Sequence, residues 1–341
     1  MKIILAVISL VMAGFLLFEP KIAASAVGAA VSDCLEVIVP SLFAFTALAI
    51  FLQKSGLYRI ALKPLTFPLS KLLRLDEELC AVFVLANIGG YPVGVKLLSQ
   101  LRREERISDK DAARMMCCCF GSGPGFIVGI VGVNVFGSAA AGLMLFGACF
   151  AGSLVIAAFV RMRGEIALKP AETRFSLDSA SFIDSIVTAA KTLFTVCAMI
   201  VGFSVVTAFL RAVGINALFE KLFGNSAIFL SLLEVTRIKE MPFSPAAMPI
   251  CAALLSFGGV CVLLQIKALS NGIPLRKFVI SRAAAAVISA IIALPLSTML
   301  EVPGGAVSAV VSPIAPFSVN AVLSVCVLVM CGILLAETRR E

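Results

Sequence analysis

Ala86-Asn87-Ile88-Gly89-Gly90-Tyr91-Pro92-Val93-Gly94-Val95-Lys96-Leu97-Leu98 sets three glycines, a proline, an amide and a lysine inside a stretch otherwise apolar enough for a bilayer. Glycine and proline interrupt helical hydrogen bonding. Interrupted backbone at membrane depth survives only where it is buried in protein or lines a cavity. The segment therefore predicts a re-entrant hairpin with a binding role. A helix kinked and packed through its glycines is the structural alternative.

Composition supports a bilayer setting. The chain has 341 residues, 60% hydrophobic and 14% charged, with a mean hydropathy of +1.08. Soluble domains average about 25% charged residues. The fold class expected is all-α, a polytopic membrane protein in contact with lipid. The net charge of +8 is spread over Lys54–Arg74, Lys96–Arg114, Arg161–Arg174, Lys267–Lys277 and Arg339-Arg340. Such scatter fits the excess of Lys and Arg in cytoplasmic loops. Nucleic-acid binding would need these residues on one face, so no nucleic-acid partner is expected.

The eleven cysteines come with no histidine. Successive side chains of a helix point about 100° apart, so Cys117-Cys118-Cys119 cannot turn together onto one metal. No metal site or organic cofactor is expected, only a coupling proton or Na+. No Ser-His-Asp set, paired-carboxylate site or phosphate loop can be assembled, and the chain is read as no enzyme. Residues 2–18 resemble a signal peptide in their apolar core and in the small residues Ala24-Ser25-Ala26. A single lysine before that core and the Glu19-Pro20-Lys21 that follows favour a retained span.

Spans or half-spans are expected at 2–18, 28–52, 76–101 (hairpin), 112–133, 139–160, 182–210, 225–241 (hairpin), 245–268, 278–298 and 318–337. An interfacial helix is expected over 58–73 and a polar linker over 163–180. The two halves look alike. Aligning Gly137 with Gly272 also aligns Gly123 with Gly258 without a gap, and after a gap of about eleven residues Ala81-Val82-Phe83-Val84-Leu85 matches Ala227-Ile228-Phe229-Leu230-Ser231. A hairpin does not change sides, so each repeat crosses an odd number of times and the second is inverted. Inverted repeats with broken helices characterise secondary transporters. With both termini cytoplasmic, the basic segments all fall on that side, while the loop 134–138 outside carries no charge and 299–317 carries only Glu301.

Four groups of residues are candidates for the site. The first hairpin offers freed amides at Gly89 and Gly90, the Asn87 side chain, and Tyr91, one of two tyrosines in the chain. The second offers Glu234 and Thr236, with Arg237 placed to neutralise the carboxylate; intramembrane ionisable residues are functional candidates by default. The breaks at Gly121-Ser122-Gly123-Pro124-Gly125 and Ser256-Phe257-Gly258-Gly259 are expected to expose half-helix N-termini that favour an anionic group. Small-residue helix packing competes with that reading. Gln265 follows as a weaker liner. Lys191 either snorkels or bears on an anionic solute, and Asp33 and Glu36 are expected in solvent near a helix end.

The segments Gly90-Tyr91-Pro92-Val93-Gly94-Val95-Lys96-Leu97 and Gly121-Ser122-Gly123-Pro124-Gly125-Phe126-Ile127-Val128-Gly129 resemble those of the YlbJ-type sporulation integral membrane proteins. Leu233-Glu234-Val235-Thr236, Ser256-Phe257-Gly258-Gly259 and Gln265 follow in the same order. The resemblance implies the nucleoside-recognition Gate superfamily, related in fold to concentrative nucleoside transporters. The divisions it implies are an N-terminal helix 1–23, a first Gate repeat 24–162, a cytoplasmic linker 163–180, a second repeat 181–300 and a C-terminal helix and tail 301–341. It further implies a transporter acting during sporulation on a small anionic or aromatic solute, dipicolinic acid, by alternating access, with an oligomer allowed. Site residues expected on this basis are Asn87, Gly89, Gly90, Tyr91, Ser122, Gly123, Glu234, Thr236, Ser256, Gly258 and Gln265. The other readings are a nucleoside or nucleobase symporter of the same fold and a non-transporting membrane subunit needed for spore assembly.

Overall fold

The computed structural model describes residues 2–170 and 179–299. The expected span 318–337, the tail and the middle of the linker lie outside the described residues. Helix α1, Lys2–Phe18, is followed by α2, Pro20–Ser55. Helix α2 starts eight residues before the expected span at 28, because Pro20 in its first turn is preorganised for a helix. Pro40 lacks an N–H and would crowd the carbonyl four residues back. The chain widens into a π-helical turn over Cys34–Ile38 just before it. A single turn at Tyr58–Ala61 and helix α3, Lys63–Leu73, form the expected interfacial segment.

The first hairpin is α4, Glu77–Gly89, and α5, Tyr91–Arg103. Asp76 caps α4 by accepting from the Glu78 amide at 2.8 Å. Gly90 breaks the rod at φ +93°, a conformation costly for any residue with a Cβ. The expected span 112–133 is two pieces. Helix α6, Asp109–Met116, is capped by Ser108, and α7, Pro124–Phe136, follows after seven irregular residues. Within α7 the turn Ile127–Gly132 is π-helical. Helix α8, Ala139–Met162, closes the half.

The second half repeats this succession. Helix α9, Ser179–Ala212, is the long span. Helix α10, Ile215–Phe223, was not expected and occupies the place that α3 holds in the first half. Helix α11, Ser226–Leu233, breaks at Glu234 and returns as a 3-10 helix, Val235–Glu240. Helices α12, Ala247–Phe257, and α13, Gly259–Leu269, are parted at Gly258, and α14, Arg276–Ser297, ends the described chain. Among the described residues there is no strand, only an isolated antiparallel bridge between Ile107 and Leu168.

Helices α2 and α9 run antiparallel as a scaffold. Lys54 pairs with Asp184 at one end, and Ala23 of α2 and Ala208 of α9 share a small core with Phe15 of α1 toward the other. The 24 residues of α8 span about 36 Å at ~1.5 Å per residue. The base of the first hairpin lies where α8 ends, since Arg161 donates to the Arg74 carbonyl and Arg106 grips Glu78 at 2.7 and 2.5 Å. The base of the second lies where α8 begins, since the Phe136 and Phe243 rings are 6.3 Å apart. The hairpins therefore enter from opposite ends.

Lipid tails are as apolar as leucine, so helices in a bilayer associate through close packing rather than the hydrophobic effect. A Cβ on Gly142 of α8 would lie 2.7 Å from the Val128 Cα of α7. The main core joins the first hairpin, α7, α8, α12 and α14. A separate core of Cys34, Ile38, Leu193, Val196, Ile200 and Cys261 joins α2, α9 and α13. Leu143, Phe159, Phe194 and Ile280 face outward, as a lipid-covered surface requires.

Arg102, Arg106, Arg114 and Arg161 gather at the first hairpin's base and satisfy carbonyls there. Arg114 donates to the carbonyls of Val160, Gly164 and Glu165 at 2.9, 2.6 and 2.8 Å. Arg102 bonds Asp109 and holds its carboxyl below the usual range. That pairing is present above the ordinary carboxylate pKa and is lost only as pH falls through the lowered value.

Asp33 is not free in solvent near a helix end. With α2 starting at Pro20 it lies well inside the helix, and Lys239 binds both its oxygens at 2.6 and 2.7 Å. Arg211 of α9 binds Glu240 at 2.5 Å, so the second hairpin is fastened to both scaffold helices. Asp33→Lys alone should lower thermal stability by about 1 kcal/mol, the pair being partly exposed. The double swap Asp33→Lys with Lys239→Asp should recover it. Equal melting temperatures for the single variant and wild type would rule the fastening out.

Candidate functional site

Each hairpin tip docks on the break of its own half. Asn87, in the last turn of α4, donates through Nδ2 to the Phe83 carbonyl at 2.8 Å and to the Cys118 carbonyl at 3.3 Å. It thus joins the hairpin to the chain leaving α6. A Cβ on Gly121 would stand 3.0 Å from the Asn87 Cα, and one on Gly123 would stand 3.0 Å from the Ile88 carbonyl oxygen. A Cβ on Gly89 would meet Val93 at 2.7 Å. In the second half, a Cβ on Gly259 would meet the carbonyls of Ser231 and Leu232 at 3.0 and 3.2 Å. Only small residues permit such close approaches.

The two breaks then meet each other. Tyr91 donates its hydroxyl to the Leu255 carbonyl of α12 at 2.8 Å. Ser122 donates to the Tyr91 hydroxyl at 2.5 Å and lies 3.4 Å from the same carbonyl. The Tyr91 and Phe120 rings pack with centroids 4.6 Å apart. Gly258, at φ +87°, leaves room for Phe120, whose Cζ would be 2.6 Å from a Cβ there. The Leu255 carbonyl is in the last turn of a half-helix, where carbonyls lack an intrahelical donor. Tyr91 and Ser122, from the first half, satisfy an acceptor of the second.

Not all the expected residues play the expected part. Gly123 and Gly258 stand immediately before helix starts. Ser256 does not supply a half-helix N-terminus: it lies in the last turn of α12 and donates to Ser289 of α14 at 2.8 Å. Ser122 precedes the first turn of α7 and commits its hydroxyl to Tyr91. The break falls after residue 257, just past the serine, so the polar side chain faces the neighbouring helix. Gln265 is buried and donates to Cys261 Sγ at 3.3 Å on its own helix. Among the described residues no bond ties it to the junction.

Glu234 and Thr236 form a second group. Glu234 is buried at 2% exposure, accepts from the Thr236 amide at 2.9 Å and from its hydroxyl, and caps the 3-10 helix. Arg237 is 3.8 Å from this carboxylate and also reaches Glu240 at 3.2 Å. The rod is interrupted at Glu234, so the carboxylate is held mainly by the turn it caps.

Around the junction, Asn87, Phe120, Ser122, Ser153, Leu255 and Ser256 line a cavity of about 10 Å³. That is space for roughly one water, against about 300–1,000 Å³ for a small-molecule pocket. The junction is closed. Arg282 of α14, fully buried against Phe120, was not among the expected residues. Its signal was legible as a charge inside the apolar run 278–298.

Fold and site together define an all-α, multi-pass integral membrane protein with two hairpins and two interrupted helices meeting at a buried polar junction. No family model matches the chain, and no solved structure matches it. Among curated proteins it is similar to the sporulation integral membrane protein YlbJ of Bacillus subtilis (strain 168), 31% identical over 166 residues. The match covers 46% of this chain and 40% of that protein's length. The resemblance to YlbJ-type proteins read from the hairpin and break motifs is thereby borne out.

Proposed function

We propose that the protein is a secondary transporter that moves a small anionic or aromatic solute, dipicolinic acid by family resemblance, across a membrane during sporulation. The observation that carries this reading is the bond from Tyr91 to the Leu255 carbonyl, which brings the two interruptions together between hairpins entering from opposite ends. Interrupted helices around a central site are how transporters hold solutes at the midplane. The closed junction suits a form between two open ones. Glu234 is proposed as the group that takes a coupling proton or Na+, with no covalent chemistry. The clustering of arginines at the first hairpin's base supports a cytoplasmic placement of that end and of the N-terminus.

The test is uptake of labelled dipicolinate by the purified protein in liposomes, with unlabelled dipicolinate and uridine as competitors. Competition by dipicolinate alone, with uptake at least tenfold lower in Glu234→Gln, is the expected outcome. Competition by uridine would replace the reading with a nucleoside symporter. Silence relieved by a second protein would replace it with an accessory subunit.

A further inference from the structure

An interrupted helix has two exposed ends, and the C-terminal one carries unpaired carbonyls and a partial negative charge. Here α6 and α12 both end at the junction, so two such ends are buried close together. Arg282 lies between them. Its Nη2 donates to the Cys117 carbonyl, just past the end of α6, and its Nη1 to the Ser256 carbonyl in the last turn of α12 at 3.5 Å. The guanidinium carbon is 4.7 Å from the Phe120 ring centre and 5.3 Å from that of Phe278. The side chain is 0% exposed. Its remaining polar contact is the Ser281 hydroxyl at 3.5 Å, and its Nε has no partner among the described residues. Every oxygen it reaches is therefore uncharged.

A buried cation without a carboxylate is strongly unfavourable unless other groups compensate it. Two helix C-termini and two aromatic faces are such groups. Only a planar fork with several donors can serve both carbonyls while lying against the rings; an ammonium would reach one carbonyl and stack poorly. Cys117 and Ser256 belong to different halves of the chain, and Arg282 of α14 bonds the carbonyls of both.

We propose that Arg282 is a positioning residue: one cation that ties the C-terminal ends of the two interrupted helices together and so holds Tyr91, Ser122 and the Leu255 carbonyl in register. The proposal goes beyond the transport reading and does not depend on which solute is carried. Native cysteines report on it. Cys117, Cys118 and Cys119, in the first break, are buried, as is Cys34 in the separate core between α2 and α9.

The experiment is N-ethylmaleimide labelling of the full chain in nanodiscs, mapped by mass spectrometry, for wild type, Arg282→Met and Arg282→Lys. In Arg282→Met, labelling at Cys117–Cys119 is expected to accelerate at least tenfold while Cys34 keeps its wild-type rate. Arg282→Lys, which retains one contact, should fall between the two, and it decides the matter alone if the methionine variant does not fold. A rise at Cys34 in step with the others in Arg282→Lys, or wild-type rates throughout, overturns the proposal. Neither outcome depends on dipicolinate, so failure here is separable from failure of the transport assignment.

Discussion

Gly94→Ala is expected to cost about 3 kcal/mol of stability and, on the proposed transport function, to abolish uptake, because the new methyl has nowhere to go. Its Cβ would lie 2.0 Å from the Cys119 carbonyl oxygen, 3.0 Å from the Cys119 carbonyl carbon and 2.9 Å from the Ala86 Cβ. Two of these are backbone atoms of the first break and cannot rotate aside. Either α5 moves away from the break, or the break moves and carries Phe120 and Ser122 with it. Both routes separate the Tyr91 hydroxyl from the Leu255 carbonyl. Gly147→Ala is the control, since nothing lies within 4 Å of a Cβ there. It should melt with wild type. Thermal unfolding in detergent and uptake in liposomes measure both variants, and wild-type behaviour of Gly94→Ala would show that hairpin and break are not in contact.

On the proposed transport function, Tyr91→Phe is expected to lower uptake at least tenfold while removing only about 1–2 kcal/mol of stability. The ring that packs on Phe120 is retained, so the packing survives. The hydroxyl that accepts from Ser122 and donates to Leu255 is lost. Ser122→Ala should have a smaller effect, because Tyr91 still reaches the carbonyl without it. The two side chains share one acceptor, so their effects should be non-additive by about 0.5–1 kcal/mol in a double-mutant cycle. Additive losses would mean that the three groups do not act as one junction.

Much of the scaffold was legible in the sequence. Apolar runs of about 20 residues identify helices that can cross a bilayer, and the expected 139–160, 182–210 and 278–298 correspond to Ala139–Met162, Ser179–Ala212 and Arg276–Ser297. The interruptions were legible too, since Gly90 and Gly258 stand in left-handed or extended positive-φ conformations that the glycines announce. Helix α10 escaped notice because nine residues with an amphipathic pattern are too short for a hydropathy signal. The partner of Asp33 escaped because Lys239 lies more than two hundred residues away in the chain.

The site was legible in its residue types but not in their roles. Ser256 reads as a helix-start residue when the break is placed at the first small residue, yet the helix continues through Phe257 and turns that hydroxyl onto Ser289. Arg282 stands as a charge inside the apolar run 278–298, but only the structure shows that it touches two carbonyls from different halves.

Composition, glycine placement and charge bias determined that this chain is a multi-pass helical membrane protein with two hairpins and two broken helices, since backbone hydrogen bonding in a bilayer depends on local residue types. Which broken ends face one another, and which side chains satisfy their carbonyls, was decided only by tertiary structure. The bonds that join the two halves, from Tyr91 to Leu255 and from Arg282 to Cys117, link residues more than a hundred positions apart, and no local preference encodes the approach.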